Sequence, residues 1–255
     1  MNACDAVILA GGRATPEMAA KTGTPIRALF AWEGRPFVQW AYEALRASAH
    51  VDRIAIVGPD GLRDVLGLAG ADLLIPERDT ITANLFAGLD ALQPGGHALI
   101  TACDNPLLST AAFDDFLSRA PSDAAVAYPI LEHACFLDRF PGATNTPIHL
   151  RDGCWIGGDC VLIEATAIPT LRSSITQVLD SRKSLIKMAL LLGLRFPLRL
   201  ALRRATIPEV EQRVSSIAGV SFQFVRDCDP VFVVDIDDPV DWDYLAQWQA
   251  GANCS

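Results

Sequence analysis

The stretch Ala6-Val7-Ile8-Leu9-Ala10-Gly11-Gly12 decides the fold, because an apolar strand runs directly into paired glycines. Glycines in that position let backbone N–H groups come close to a phosphate. The same pair also serves an ordinary tight turn, so the segment needs support from elsewhere in the chain.

Three further segments supply it. In Leu99-Ile100-Thr101-Ala102-Cys103-Asp104-Asn105-Pro106-Leu107-Leu108 a second apolar run ends in an aspartate, and the proline beyond it cannot continue strand pairing. A carboxylate is thereby placed at the ligand-binding edge of an open sheet. In Val231-Phe232-Val233-Val234-Asp235-Ile236-Asp237-Asp238-Pro239-Val240-Asp241-Trp242 another expected strand delivers acids that suit a hard cation, and Pro239 suits the first turn of a helix. The third segment carries Arg27 and then Gly34-Arg35-Pro36, ahead of the helical pattern Phe37, Trp40, Ala41, Ala44 and Leu45. Basic residues thus fall near the glycines, where phosphate charge needs neutralising.

Alternation extends this reading. Apolar, β-rich runs at 5–10, 53–58, 71–75, 97–102 and 123–128 alternate with helical patterns near 36–48, 60–68, 81–92 and 109–119. The pattern predicts an α/β fold built on a doubly wound, mostly parallel sheet. Residues 129–214 break the rhythm with Pro129, Pro141, Pro147 and the pair Gly157-Gly158, and read as an insertion before the final strand. One domain spanning 1–255 is expected, with a core of about 1–128 and 215–250.

These motifs resemble the nucleotidyltransferase superfamily of sugar-phosphate and cofactor NTP transferases, in particular its molybdenum cofactor nucleotidyltransferase-like members. That family opens on leucine-alanine-glycine-glycine, a basic loop and Gly-x-Pro, which is similar to Leu9-Ala10-Gly11-Gly12, Arg27 and Gly34 to Pro36. Its Gly-Asp-x-Pro metal aspartate is similar to Asp104-Asn105-Pro106, with Cys103 in place of the glycine. Its late metal acid is similar to Asp237 within Asp235 to Asp241. The resemblance covers about residues 5–110 and 230–246. It implies a Rossmann-like fold with an acceptor-side insertion, and Mg²⁺ held by Asp104 and Asp237. It also implies NTP contacts from Leu9, Ala10, Gly11, Gly12, Arg13, Arg27 and Asp104.

The chain departs from the family at the loop. Ala14 and Pro16 stand where a third glycine and an arginine are usual, so Arg13, Lys21 or Arg27 must supply positive charge at the pyrophosphate. Arg27 stands where lysine is frequent, which changes the geometry of phosphate contact. Asn84 matches a region where the family approaches the base, with Thr82 beside it, although capping of a helix by Thr80 or Thr82 explains the same residues. In Trp155-Ile156-Gly157-Gly158-Asp159, Gly158 and Asp159 resemble a Gly-Gly-Asn segment bordering the acceptor pocket. A hairpin turn is the other reading. Lys183 is a candidate for an acceptor phosphate.

Composition excludes several alternatives. The chain of 255 residues is 51% hydrophobic with a net charge of −9, which disfavours nucleic acid as partner. Seven scattered cysteines without a Cys-x-x-Cys pair suit a reducing cytoplasm and free core thiols. No basic segment precedes the first apolar run, which stops at Gly11, so no secretory signal is expected. The segment Lys183 to Arg204 mixes leucines with basic residues and Pro197, which excludes a simple transmembrane span. Weak membrane-surface contact or burial against the sheet both fit it. His50, His97, His133 and His149 have no metal-ligand spacing, and acyl-transfer, P-loop and dinucleotide fingerprints are lacking.

The expected function is transfer of a nucleotidyl group from an NTP to a small phosphorylated acceptor, such as a sugar, polyol or cofactor phosphate, with release of pyrophosphate. Arg13, Arg27 and Asp104 are the expected catalytic residues. A catalytically silent nucleotide-binding module and a nucleotide-sugar-dependent glycosyltransferase are the alternatives, and assembly as a monomer or homodimer stays open.

Overall fold

The computed structural model describes residues 3–181 and 195–252. In chain order the elements are β1 (Cys4–Leu9), α1 (Pro16–Thr22), β2 (Ala31–Trp32), β3 (Arg35–Pro36), α2 (Phe37–Arg46), β4 (Val51–Gly58) and β5 (Leu73–Pro76). Then come α3 (Ile81–Leu92), β6 (His97–Ala102), α4 (Thr110–Arg119), β7 (Val126–Glu132), α5 (His133–Arg139), β8 (Ile148–Leu150), β9 (Gly153–Gly157) and β10 (Cys160–Glu164). The remainder is α6 (Ile168–Ser181), α7 (Arg195–Ala201), α8 (Ile207–Ala218), β11 (Phe222–Val225) and α9 (Pro239–Ala252).

Among the described residues, nine strands form one sheet in the order β5-β4-β1-β6-β10-β7-β9-β8, with β11 also on β7. β1 pairs in parallel with β4 on one side and β6 on the other, and β5 is parallel to β4. β10 is antiparallel to β6 and β7, and β9 to β7 and β8, while the other strands run in one direction, so the sheet is mixed and mostly parallel, as expected. Central β1 is buried on both faces. Val7 packs with Phe86, Leu89 and Ile100 under α3, while Ile8 joins Val38, Leu45 and Phe113 under α2 and α4. Gly88 lets α3 lie directly on the sheet, since a Cβ there would stand 2.5 Å from Val7 Cγ1.

The chain leaves β1 for β4 and β5, then returns through α3 to β6 on the opposite side of β1. This reversal creates a crevice at the carboxyl ends of β1 and β6, where ligands bind in open α/β sheets. Gly11-Gly12 follows one of these ends and Asp104 the other.

Two local expectations fail, and one of two readings left open is excluded. Val231–Val234 is not a strand: Pro230–Val233 forms a 3₁₀ turn, with Pro230 in its first turn and the Asp229 carboxylate accepting from Val231 N–H at 3.0 Å. Its carbonyls are drawn to neighbours, Val231 O to Asn105 Nδ2 at 2.6 Å and Phe232 O to Asp159 N–H at 2.9 Å. Residues 60–68 form two short 3₁₀ turns rather than one helix. Gly67 packs there against Gln39, 2.2 Å from where a Cβ would sit. Gly157-Gly158 is not a hairpin turn either, because β9 and β10 both run antiparallel to β7 in the same direction. The glycines mark a jog in one bent strand, and a Cβ on Gly158 would stand 2.7 Å from Phe232 Cβ.

The loop after β1 and the start of α9 are clamped together by aromatic rings. Trp242 stacks on Phe37 and meets Phe30 and Trp32 edge-on. Arg27 and Asp237 are thereby held near each other across the sequence.

Candidate active site

After Ala10 N–H bonds Val57 O at 2.8 Å, the chain leaves the sheet through Gly11 and Gly12. Neither glycine needs a left-handed backbone; each lets neighbouring side chains come close to the loop. A Cβ on Gly11 would meet Glu77 Oε2 at 2.8 Å and Asn84 Nδ2 at 2.9 Å, and one on Gly12 would meet Arg27 Cδ at 3.3 Å. The loop then folds back on itself, with Arg27 N–H bonded to Gly12 O at 3.1 Å and Ala14 N–H to Pro25 O at 2.9 Å. This doubling returns Arg27 to the glycines despite the intervening α1.

Both arginines face carboxylates. Arg13 donates to Gly11 O at 2.9 Å and forks onto the Glu77 carboxylate. Arg27 uses Nε for Arg13 O at 3.2 Å, while its Nη1 pairs with Asp237 and lies 3.5 Å from Asp104 Oδ2. One guanidinium therefore bridges the two proposed metal acids. Lys21 is taken by Asp243 at 2.5 Å.

Asp104 is fixed through its backbone, its carbonyl accepting from Ile236 N–H at 3.1 Å. The following Asn105 is 1% exposed and locks the turn by accepting from Leu107 N–H at 2.9 Å while bonding the 3₁₀ turn. Asp104 Oδ1 is buried without a hydrogen-bond partner, as is Asp159 Oδ2. Burial, with the charge of Asp237 added, raises Asp104 above the usual carboxylate range against the pull of its backbone hydrogen bond and Arg27. Asp159 is pushed up to about 8, first by burial and then by Asp104, Asp235 and Asp237. Asp235 rises to about 6, again by burial first and then by Asp237 and Asp104. Four acids thus share one region of negative potential, with Arg27 set between Asp104 and Asp237.

The remaining candidates divide. Asn84 is buried in the first turn of α3, where its Oδ1 accepts from Arg78 N–H at 2.5 Å and its amide faces Gly11. Thr80 caps that helix by accepting from Ala83 N–H at 3.1 Å, and Thr82 is half-buried in the same turn. Gly158 and Asp159 stand beside the end of β6, Cys160 being paired with Thr101. Lys183 lies outside the described residues. Leu9 and Ala10 form the end of β1 and its exit. Asp241 accepts from the backbone N–H groups of Asp237 and Asp238, both at 3.2 Å, and so fixes that turn.

Glu77 escaped the sequence reading. It follows β5 at the same sheet edge as Asp104, so the rule that singled out Asp104, an acid just beyond an apolar strand, applied to it as well.

No group of three or more His, Cys, Asp or Glu residues among those described is arranged to enclose a metal ion on its own. The site nevertheless fits Mg²⁺, which takes one or two carboxylates and completes its shell with phosphates and water. Asp104 and Asp237 are hard oxygen donors brought to one cation, and the orphaned Asp104 Oδ1 calls for a positive partner.

The family model of the MobA-like NTP transferase domain matches residues 6–186. A hypothetical transferase structure from Thermus thermophilus is 31% identical, with TM-score 0.83 over 94% of this chain and 99% of that one. Two more distant structures share the fold alone. A nucleotidyl transferase from Methanothermobacter thermautotroptrophicus is 18% identical, with TM-score 0.58 over 97% and 98% of the two chains. The CMP:2-keto-3-deoxy-manno-octonic acid synthetase complexed with CTP is 13% identical, with TM-score 0.60 over 99% and 100%. No curated protein sequence matches the chain at a significant level. The switch-point crevice, the glycine loop and the match over residues 6–186 lead to one conclusion: the chain belongs to the family of MobA-like NTP transferase domains.

Proposed function

We propose that the protein transfers a nucleotidyl group from an NTP to a small phosphorylated acceptor and releases pyrophosphate. One observation carries this reading: the glycine loop and Asp104 meet at the sheet's switch point, where Asp104 keeps an orphaned buried oxygen and shares Arg27 with Asp237. Asp104 and Asp237 would hold Mg²⁺. When bound, the ion would offset the negative charge of the α-phosphate and of the departing pyrophosphate.

The chain's own groups account for the rest of the chemistry. Backbone N–H groups at Gly11 and Gly12 receive the phosphates, with Leu9 and Ala10 forming the wall behind them. Arg27 turns from Asp104 and Asp237, and Arg13 from Glu77, onto the leaving pyrophosphate. Asn84 and Thr82 face the base. Gly158 and Asp159 border the acceptor, where Asp159 accepts from hydroxyls better than it tolerates phosphate. An acceptor phosphate has its second pKa at about 6 and is already nucleophilic at neutral pH, so no general base is required. Catalysis is then positional and electrostatic.

The pairing of Arg13 and Arg27 with acids, together with Pro16 in place of a loop arginine, favours one second reading, a module that binds nucleotide without turnover. A screen of the four NTPs with Mg²⁺ against sugar, polyol and cofactor-precursor phosphates separates the two. Pyrophosphate release with one pair supports transfer. NTP binding without release supports the silent module, and release of a nucleoside diphosphate from a nucleotide-sugar indicates glycosyl transfer instead.

A further inference from the structure

A cavity of about 230 Å³ lies on the sheet beside the carboxylate cluster, lined mainly by Tyr128 and Ile130 of β7, Ile148 of β8, Trp155 of β9, Val210 of α8 and Phe224 of β11. β7 is antiparallel to β10, which is antiparallel to β6, so the carboxyl end of β7 lies at the same sheet edge as Asp104. The cavity connects to the site through the chain itself: Gly157 lines it, and Gly158 and Asp159 follow at once. Tyr128 belongs to both regions, since it lines the cavity and lies within electrostatic reach of Asp159.

One feature of the lining distinguishes it from ordinary core. Ile148 is 55% exposed at the rim, apolar surface left without cover. A dry apolar cavity of about 150 Å³ is large enough for benzene, so this one accommodates a substituted ring or a short branched chain.

We infer that this cavity receives an apolar portion of the acceptor, a ring or branched alkyl group, while the acceptor's phosphate stays at the Asp104 edge. The inference rests on the nucleotidyltransferase reading and narrows it, from any small phosphate ester to one with an apolar body. Glycerol phosphate fills none of this space. Benzyl phosphate fills most of it.

The test compares these two probes. Their binding to the full chain is measured by ligand-observed NMR without NTP, and pyrophosphate release is measured separately with Mg²⁺ and each NTP. Benzyl phosphate should bind at least about ten-fold more tightly than glycerol phosphate, as burial of a phenyl ring requires. Val210→Trp, which fills the cavity from α8, should abolish that advantage. Ile148→Asn, at an exposed rim position that does not endanger folding, should reduce it several-fold, and thermal melts confirm that both variants are folded. Equal binding of the two probes, or an advantage that survives both substitutions, overturns the inference. Pyrophosphate formed equally well from both probes overturns it too while leaving nucleotidyl transfer intact. Selective benzyl phosphate binding lost in Val210→Trp, with no pyrophosphate formed, upholds the cavity and removes the transfer reading.

Discussion

Replacing Asp159 by asparagine should stabilise the metal-free protein, and the gain should grow with pH. The Asp159 carboxyl rises from 3.8 to about 8 through burial and the charges of Asp104, Asp235 and Asp237. A raised acid favours folding when protonated, so its contribution is complete below about pH 4 and is lost as pH climbs through 8. At roughly 1.4 kcal/mol per pH unit, the largest possible loss is about 6 kcal/mol. The four acids relieve one another and share that cost, so we expect Asp159→Asn to recover about 2 kcal/mol above pH 8. In a chain of this size that is a rise in Tm of about 4–8 °C. Thermal melts of both proteins in chelator, from pH 4.5 to pH 8.5, read this directly. The curves should diverge as pH rises and converge near pH 4.5. A variant no more stable than wild type at pH 8.5, or one with the same gain at both extremes, refutes the reasoning.

Arg27→Met should leave Asp104 and Asp237 uncompensated and so tighten binding of Mn²⁺ in the absence of nucleotide, followed by electron paramagnetic resonance; weaker binding would show that Arg27 does not compete for these acids. Gly88→Ala places a Cβ 2.5 Å from Val7 Cγ1 and should cost about 1–3 kcal/mol in denaturant unfolding, whereas an unchanged midpoint would mean that α3 does not seat directly on β1. Among the described cysteines, exposed Cys135 should react first with a thiol reagent, and buried Cys103 and Cys160, whose thiols burial pushes well up, should react only on unfolding. Rapid labelling of Cys103 in the native protein would contradict the closed turn beside Asp104.

The parallel half of the sheet was legible because its signals are local. β1, β4, β6 and α3 each carry an apolar pattern bounded by glycine, proline or a capping threonine, and the helix expected at 81–92 has those bounds. The place of Asp104 followed from the same logic. Val231–Val234 misled because its β-branched composition is that of a strand, while its conformation is set by Asp229, Pro230 and contacts from Asn105 and Asp159, distant in sequence. Gly157-Gly158 likewise looks like a turn until β7 is known to pair with the chain on both sides of it. The partners of Arg13 and Arg27 were hidden for a similar reason. Spacing shows that charges fall near the glycines, but Glu77 and Asp237 meet them only through the folded sheet edge and the Trp242 clamp.

The most direct test of the central claim follows the α-phosphate. Each NTP labelled at that position is incubated with Mg²⁺ and a phosphorylated acceptor, using wild type and a folded Asp104→Ala variant. Nucleotidyl transfer predicts label in an acceptor-linked diphosphate, one pyrophosphate released per product, and neither with Asp104→Ala. Label that stays in the nucleotide while the acceptor is consumed, or full transfer by the variant, would contradict the account.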